Sequence, residues 1–329
     1  MRASRYEIFM YASIAAVPAL IFLIFLSTYA GASAVASALS YLLIIAMAVF
    51  FVTGAKEVFV HARYQEGARP ILQGERRVYP HMGRPIRGAE VVSLNVRRFN
   101  SETNKFDEAS YKVNATKHTT VLGALLDIKS YSDNTLSVRC NCRMGICGSC
   151  GVVVNGKQKL ACETNLLESS ENGSVTVSPM LGHPMLKDLA DNFDDFFKRH
   201  ISVSPTLERK DVKEKYAAKQ EYKMSKEDTD KFLPYSYCIM CGLCLDACPV
   251  VNSNPNFVGP QALSQAYRYH ADKRDQGGKR RLFDADTADG AWGCEFAGAC
   301  SSACPKGVDP AAAIQMLKSD IMKNMLEEE

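Results

Sequence analysis

No cysteine precedes Cys140, although 12 lie between that residue and Cys304. No Asp, Glu, Lys, Arg or His occurs from Ile8 to Ala55. The chain also has no glycine-rich nucleotide-binding loop and no strongly basic domain of the kind that marks a nucleic-acid binder. A content of 47% hydrophobic and 23% charged residues, with a net charge of +3, excludes a disordered or collagen-like chain. At 329 residues the chain exceeds one small domain and fits two or three. Short C-x2-C spacings, with a cysteine left over, do not suit a secreted disulfide framework. What is there points to a membrane segment and to bound metal.

The 48 uncharged residues from Ile8 to Ala55 exceed the roughly 20 needed for one bilayer crossing and suffice for two. Ile8 to Tyr29 and Ser40 to Val52 are strongly apolar, and Gly31-Ala32-Ser33 between them is turn-prone. Backbone amides in lipid must pair internally, so two helices joined by a tight turn are expected over residues 1–55. Arg2 and Arg5 precede the first helix, and Lys56 and Arg63 follow the second. The positive-inside rule therefore places both ends on the cytoplasmic face of the cell (inner) membrane, with everything after residue 56. Pro18 only kinks a transmembrane helix, and the hairpin holds no histidine for haem; His61 lies just beyond it. The rival reading is a cleaved signal peptide ending near Ala30-Gly31-Ala32. The stretch from Lys56 to about Glu90 is polar and Arg-rich, a linker lying along the membrane face or a plain solvated spacer.

Val91 to Val96 and Ala109 to Val113 read as strands around a turn at Asn100 to Asn104, and Leu136 to Arg139 as a further strand. Thr119-Thr120 caps a helix carrying Val121, Leu122, Leu125, Leu126 and Ile128. Asn155-Gly156 signals a hairpin. Within CNCRMGICGSCGVVVNGKQKLAC, Cys142, Cys147 and Cys150 are spaced C-x4-C-x2-C and Cys162 follows. This is the plant-type spacing for a 2Fe–2S cluster. Zinc is the alternative metal, but zinc sites usually pair two short knuckles, whereas three ligands here share one loop. Cys140 is the spare, read as a shielded free thiol.

Met185 to Arg199 reads as an amphipathic helix, and the charged segment 202–231 as a surface connection plus helix. Cys238, Cys241, Cys244 and Cys248-Pro249 then form the bacterial ferredoxin run C-x2-C-x2-C-x3-C-P, whose fourth cysteine ligates the other cluster in two-cluster ferredoxins. The second run has Cys294, Cys300 and Cys304-Pro305, with Ala297 at its second cysteine position. Crossing the fourth ligands assigns Cys238, Cys241, Cys244 and Cys304 to a 4Fe–4S cluster. Cys248, Cys294 and Cys300 remain, with a methyl group at the fourth corner, so a 3Fe–4S cluster is expected unless water or another side chain holds a fourth iron. Three clusters make an electron wire rather than a catalytic pocket, and the electron source must be another subunit.

Taken with NPNFVGPQALSQAYRYHADKRDQG and DGAWGCEFAGACSSACPKGVDPAAAIQ, these runs resemble the iron–sulfur subunit of fumarate reductase and succinate dehydrogenase over roughly residues 91–320. The resemblance implies a flavoprotein partner carrying FAD that interconverts succinate and fumarate. It also implies one or more membrane anchor subunits, and a quinone at the interface between the anchor and the 3Fe–4S end. By the same resemblance the quinone-binding candidates are Pro249, Glu295, Phe296, Gln315 and Lys318, with Lys318 as a hydrogen-bond donor and Glu295 as a proton carrier. Asn252-Ser253 and Glu295 stand where succinate dehydrogenases commonly carry a Trp pair and a His, which leans toward a fumarate reductase-like site for a low-potential quinone. Another respiratory or thiol-linked complex and a zinc-binding membrane scaffold are the rival functions. The expected fold is a multidomain α+β chain. It has a transmembrane hairpin (1–55), a basic linker (56–90), a plant-type ferredoxin β-grasp domain (91–184) and an all-α bacterial-ferredoxin-like domain (185–329).

Overall fold

Strand β3 (Glu90–Asn100) alternates buried Val92, Leu94 and Val96 with half-buried Ser93 and Asn95, the period-two pattern of a sheet with one face on the core. It pairs antiparallel along its whole length with β4 (Lys105–Ala115). The turn between them is fixed by Asn100, whose side-chain oxygen accepts from the amides of Glu102 (3.0 Å) and Thr103 (3.3 Å). Helix α1 (Val121–Asp127) follows, capped by the Thr120 hydroxyl, which accepts from the Gly123 amide at 3.1 Å. Strands β5 (Gly151–Val154) and β6 (Lys157–Leu160) form the hairpin that Asn155-Gly156 signals. Both turn residues have positive φ, 47° and 75°, as a type I′ turn requires. Strand β7 (Ser174–Ser178) then runs parallel to β3 at the centre of the sheet. A hairpin, a helix and a parallel central pair make the β-grasp arrangement.

This structure is a computed structural model that describes residues 71–73, 76–79, 88–210 and 221–327. The chain divides into units Met1–Arg69 and Pro70–Glu329, and every described residue belongs to the second. The hairpin predicted over 1–55 lies outside the described residues. Among those described, no helix is long and apolar enough to cross a membrane.

Three sequence expectations need correcting. Within the segment read as a linker along the membrane face or a solvated spacer, β1 (Ile71–Gln73) and β2 (Arg76–Tyr79) form a pair, and β2 adds parallel to β4. The outer edge of β4 would otherwise leave a row of unpaired backbone groups. Leu136 to Arg139 joins no strand ladder. It is held instead by the segment around Asp188, with the Ser137 amide donating to Asp188 Oδ2 (2.8 Å), the Ser137 carbonyl accepting from the Leu189 amide (3.2 Å) and Arg139 donating to Asp191 (2.5 Å). The helix read over 185–199 begins only at Asp194, as α2 (Asp194–Ser202), after a short hairpin of β8 (Met185–Lys187) and β9 (Ala190–Asp191).

The reason lies in a buried ion-pair network. Arg98 Nε donates to Asp188 Oδ1 (2.8 Å) and Nη1 to Asp133 Oδ2 (2.5 Å) and the Tyr111 hydroxyl (3.1 Å). Asp188 is therefore drawn against β3, where it exchanges backbone bonds with Phe99 and takes φ of 53°, which no helix interior allows.

The second lobe is helical: α3 (Lys226–Ser236), α4 (Leu243–Asp246), α5 (Pro249–Ser253), α6 (Pro260–His270), α7 (Gly278–Ala285), α8 (Ala299–Ser302) and α9 (Pro310–Glu327). Helix α6 is buried on every side from Pro260 to Tyr267, as a central helix must be, and packs against α2, α3, α7 and α9. The two lobes share core: Cys241 and Leu243, from the helical lobe, pack among the β-lobe's buried residues. Asp246 ties them further, accepting from Gln158 Nε2 (2.9 Å) and the Gly182 amide (2.6 Å).

Candidate metal centres

The Cys142–Cys150 loop folds back on itself through three residues of positive φ, Arg143, Gly145 and Gly148. That curvature turns its amides inward. The N–H groups of Met144, Ile146 and Cys147 point at Cys142 Sγ (3.5, 3.3 and 3.2 Å), and that of Gly145 at Cys162 Sγ (3.2 Å). Converging amides of this kind are an anion nest and suit thiolates. The Ser149 hydroxyl, 3.2 Å from Cys147 Sγ and helped by backbone amides, holds that thiol down at about 6. Burial, with Cys162 and Cys147 nearby, pushes the Cys150 thiol up to about 12. Holding Cys150 as a thiolate therefore calls for bound cations to offset its burial and the neighbouring thiols. Cys140 is half-buried against the sheet core.

The two downstream cysteine runs are built on one backbone plan. In the first, Met240 (φ 52°) and Gly242 (φ 79°) flank Cys241. In the second, Phe296 (φ 57°) and Gly298 (φ 73°) flank Ala297. Each glycine opens a four-residue helix, α4 or α8, and the bonds that follow match pair by pair. Ala247 N–H reaches Leu243 O at 3.0 Å and Ala303 N–H reaches Ala299 O at 3.0 Å. Cys248 N–H reaches Leu245 O at 3.2 Å and Cys304 N–H reaches Ser301 O at 3.2 Å. Ala297 thus stands in the place that Cys241 holds in the first run.

The fold also brings the crossed sets together. Burial, joined by the neighbouring Cys241, Cys238, Cys300 and Cys304, pushes the enclosed Cys244 thiol well above its ordinary range. Cys300 is likewise raised, by burial and then by Cys248 and Cys294. Cys248 is raised by burial, with Cys294 and Glu295 beside it. All twelve cysteines are free. Among the described residues, no three or more His, Cys, Asp or Glu side chains converge on one metal-ion position. Structural zinc wants four ligands around a single ion, whereas a cluster's thiolates are spread over several irons. The buried, unpaired sulfurs and their inward amides fit iron–sulfur clusters.

Cys248, Cys294 and Cys300 line a small surface pocket shared with Pro249, Glu295, Phe296 and Ala297. Three of the five quinone candidates, Pro249, Glu295 and Phe296, are therefore gathered there, with Phe296 60% exposed. The other two sit on α9. Gln315 keeps a buried Nε2 with no partner. Lys318 Nζ donates to the Cys294 carbonyl at 2.8 Å and lies 5.7 Å from the Trp292 ring centre, so its ammonium is engaged with the cysteine loop itself.

Contacts that the spacing of cysteines did not disclose hold the loops to one another. Glu163, next to Cys162, pairs with Lys306, two residues after Cys304, at 3.2 Å. Buried His183 lies with Nε2 3.3 Å from the Gly242 carbonyl and stacks on Phe193 at 4.6 Å. Gln261 Nε2 points at Cys238 Sγ from 3.8 Å. A Lys directly after Cys-Pro was visible in the sequence; the other two contacts join residues far apart in the chain and carry no local signal.

Residues 93–198 match the family model described as 2Fe-2S iron-sulfur cluster binding domain, and residues 234–308 match that described as 4Fe-4S dicluster domain. The chain is 46% identical over 228 residues, 69% of its length and 91% of the relative's, to the fumarate reductase iron-sulfur subunit of Mycobacterium tuberculosis (strain CDC 1551 / Oshkosh). It is 37% identical to that of Haemophilus influenzae, over 71% of this chain and 94% of that one. The succinate dehydrogenase iron-sulfur subunit of Paracoccus denitrificans is 36% identical, over 69% and 88%. The fold is shared with a chain of the Mycobacterium smegmatis Sdh1 complex in the apo form, at a TM-score of 0.65 and 24% identity, over 72% of this chain and 98% of that one. The chain belongs to the iron–sulfur subunits of the fumarate reductase and succinate dehydrogenase family.

Proposed function

We propose that this subunit passes electrons between FAD on a flavoprotein partner and a membrane quinone through three clusters. The 2Fe–2S cluster is assigned to Cys142, Cys147, Cys150 and Cys162. The 4Fe–4S cluster is assigned to Cys238, Cys241, Cys244 and Cys304, and the 3Fe–4S cluster to Cys248, Cys294 and Cys300. Bound clusters supply one-electron redox chemistry; the chain's own residues place and tune them. The inward amides of the first loop stabilise thiolate charge, and Gly148 and His183 seat that loop's lobe against the second cysteine run. The observation that carries the 3Fe–4S assignment is the backbone equivalence of Ala297 and Cys241: the cradle is repeated, but its fourth corner presents a methyl group. Loss of that iron favours a higher potential, suited to the quinone end of the wire.

Pro249, Glu295 and Phe296 at the pocket, with Gln315 and Lys318 on α9, are the proposed quinone neighbours, next to one or more anchor subunits. Residues 1–55 are proposed as a membrane hairpin that supplements or partly replaces those anchors, with the clusters on the cytoplasmic face. Its uncharged run and flanking Arg and Lys residues support this.

The complex purified with its partners tests the reading. Electron paramagnetic resonance is expected to give a 3Fe signal when oxidised and a 2Fe signal after reduction; absence of both overturns it. Succinate and fumarate turnover with a menaquinone and a ubiquinone tests the remainder, and preference for ubiquinone counts against the fumarate reductase lean. Release of the chain from membranes by an alkaline wash, with and without residues 1–55, tests the hairpin.

A further inference from the structure

Gln261 sits in the first turn of α6, and only 3% of its surface is exposed. Its Nε2 lies 3.8 Å from Cys238 Sγ and 3.2 Å from His200 Nδ1, while its Oε1 is buried with no partner at all. A primary amide has two N–H donors, and here one faces each acceptor. The flipped amide would aim a carbonyl oxygen at a thiolate and give up the bond to Cys238. His200 Nδ1 accepts only from a neutral ring, and burial lowers the affinity of His200 for a second proton. A side chain that leaves one buried oxygen unpaired in order to direct N–H at a cluster sulfur calls for an explanation beyond packing. The corresponding sulfur of the other run, Cys294, receives the Phe296 backbone N–H at 3.4 Å. The buried side-chain amide distinguishes Cys238.

Resting on the 4Fe–4S assignment proposed above, we infer that Gln261 is a potential-setting residue for that cluster, with His200 holding its amide in register. When the reduced 2Fe–2S cluster gives up one electron and the 4Fe–4S cluster takes it, the receiving cluster and its thiolates gain one negative charge. No proton or bond is exchanged. An N–H aimed at Cys238 Sγ strengthens as that charge grows, so it favours the reduced form and raises the midpoint potential. The amide thereby eases the step out of the 2Fe–2S cluster, and its effect is confined to the middle of the wire.

The experiment is a potentiometric titration of the assembled complex, followed by electron paramagnetic resonance, for the unaltered protein and Gln261→Leu. The variant keeps bulk near α6 and removes the donor. The 4Fe–4S equilibrium is expected to move up to about tenfold toward the oxidised form, a fall of ~59 mV for one electron, with the 2Fe–2S and 3Fe–4S potentials unmoved. Gln261→Asn, which retains an amide on a shorter stem, is expected to fall in the same direction and is read if Gln261→Leu fails to assemble its cluster. An unchanged 4Fe–4S potential in whichever variant assembles overturns the inference, as does an equal shift of all three clusters, which would report a general structural change. A missing 4Fe–4S signal in the unaltered complex would instead overturn the cluster assignment.

Discussion

Gly148 lies at a close approach of the two lobes, and its replacement by alanine has a calculable effect. A Cβ at Gly148 would lie 2.9 Å from both Cys241 Cα and Cys241 Cβ, and 2.9 Å from the Ile239 carbonyl oxygen. None of these atoms is the free end of a flexible side chain. The residue also has φ of 72°, which costs an alanine roughly 1–2 kcal/mol. Gly156 has nearly the same φ, 75°, but a Cβ there meets nothing within 4 Å. Gly156→Ala therefore measures the conformational cost alone, and the difference between the two variants isolates the close approach. Overpacking against unyielding atoms costs about 1–3 kcal/mol. At roughly 2–4 °C per kcal/mol for a domain near this size, Gly148→Ala is expected to melt about 2–12 °C below Gly156→Ala. Both are compared at one scan rate, because cluster loss makes melting irreversible. The strain also has an electronic consequence. If the lobes part to admit the methyl group, the magnetic interaction between the reduced 2Fe–2S and 4Fe–4S clusters weakens, and electron paramagnetic resonance reads this directly. A Gly148→Ala complex that melts with Gly156→Ala and keeps its full cluster–cluster interaction would refute this account of the joint.

Ala297→Cys is expected to abolish the oxidised 3Fe signal and add one iron atom per chain; an unchanged signal and iron content would remove the basis for equating Ala297 with Cys241. Arg98→Met leaves Asp133 and Asp188 buried without their cation, their side chains 4% and 5% exposed, and is expected to cost about 3–5 kcal/mol. A thermal melt showing under about 1 kcal/mol would mean that the carboxylates find other partners. Lys318→Met removes a cation held on the Cys294 carbonyl beside the proposed quinone position, so the 3Fe–4S potential is expected to fall and KM for quinone to rise. An unchanged potential with an unchanged KM would separate Lys318 from both.

Local signals in the sequence carried the elements whose causes are local. Thr120 capped its helix, Asn155-Gly156 turned its hairpin, and the alternation of Val92, Leu94 and Val96 marked β3, because each effect needs only neighbours a few residues away. The cysteine runs were legible for a related reason: a cluster imposes its ligand spacing on one short loop, and the same spacing exposes the gap at Ala297. What could not be read was decided at long range. Helical periodicity over 185–199 lost to Arg98, some ninety positions earlier, because a buried guanidinium recruits Asp188 more strongly than an amphipathic pattern fixes a helix. Leu136 to Arg139 had strand-like composition but found its partners in the segment from Asp188 to Asp191 rather than in a ladder. The site followed the same division. The proposed ligand thiols are visible as spacing, whereas the groups placed to orient and tune them, Gln261 at Cys238, His183 at Gly242 and Lys318 at Cys294, lie across the fold from the cysteine runs they contact. A ligand set can thus be inferred from a string of letters, but the potentials that give an electron wire its direction depend on residues whose placement only the folded chain supplies.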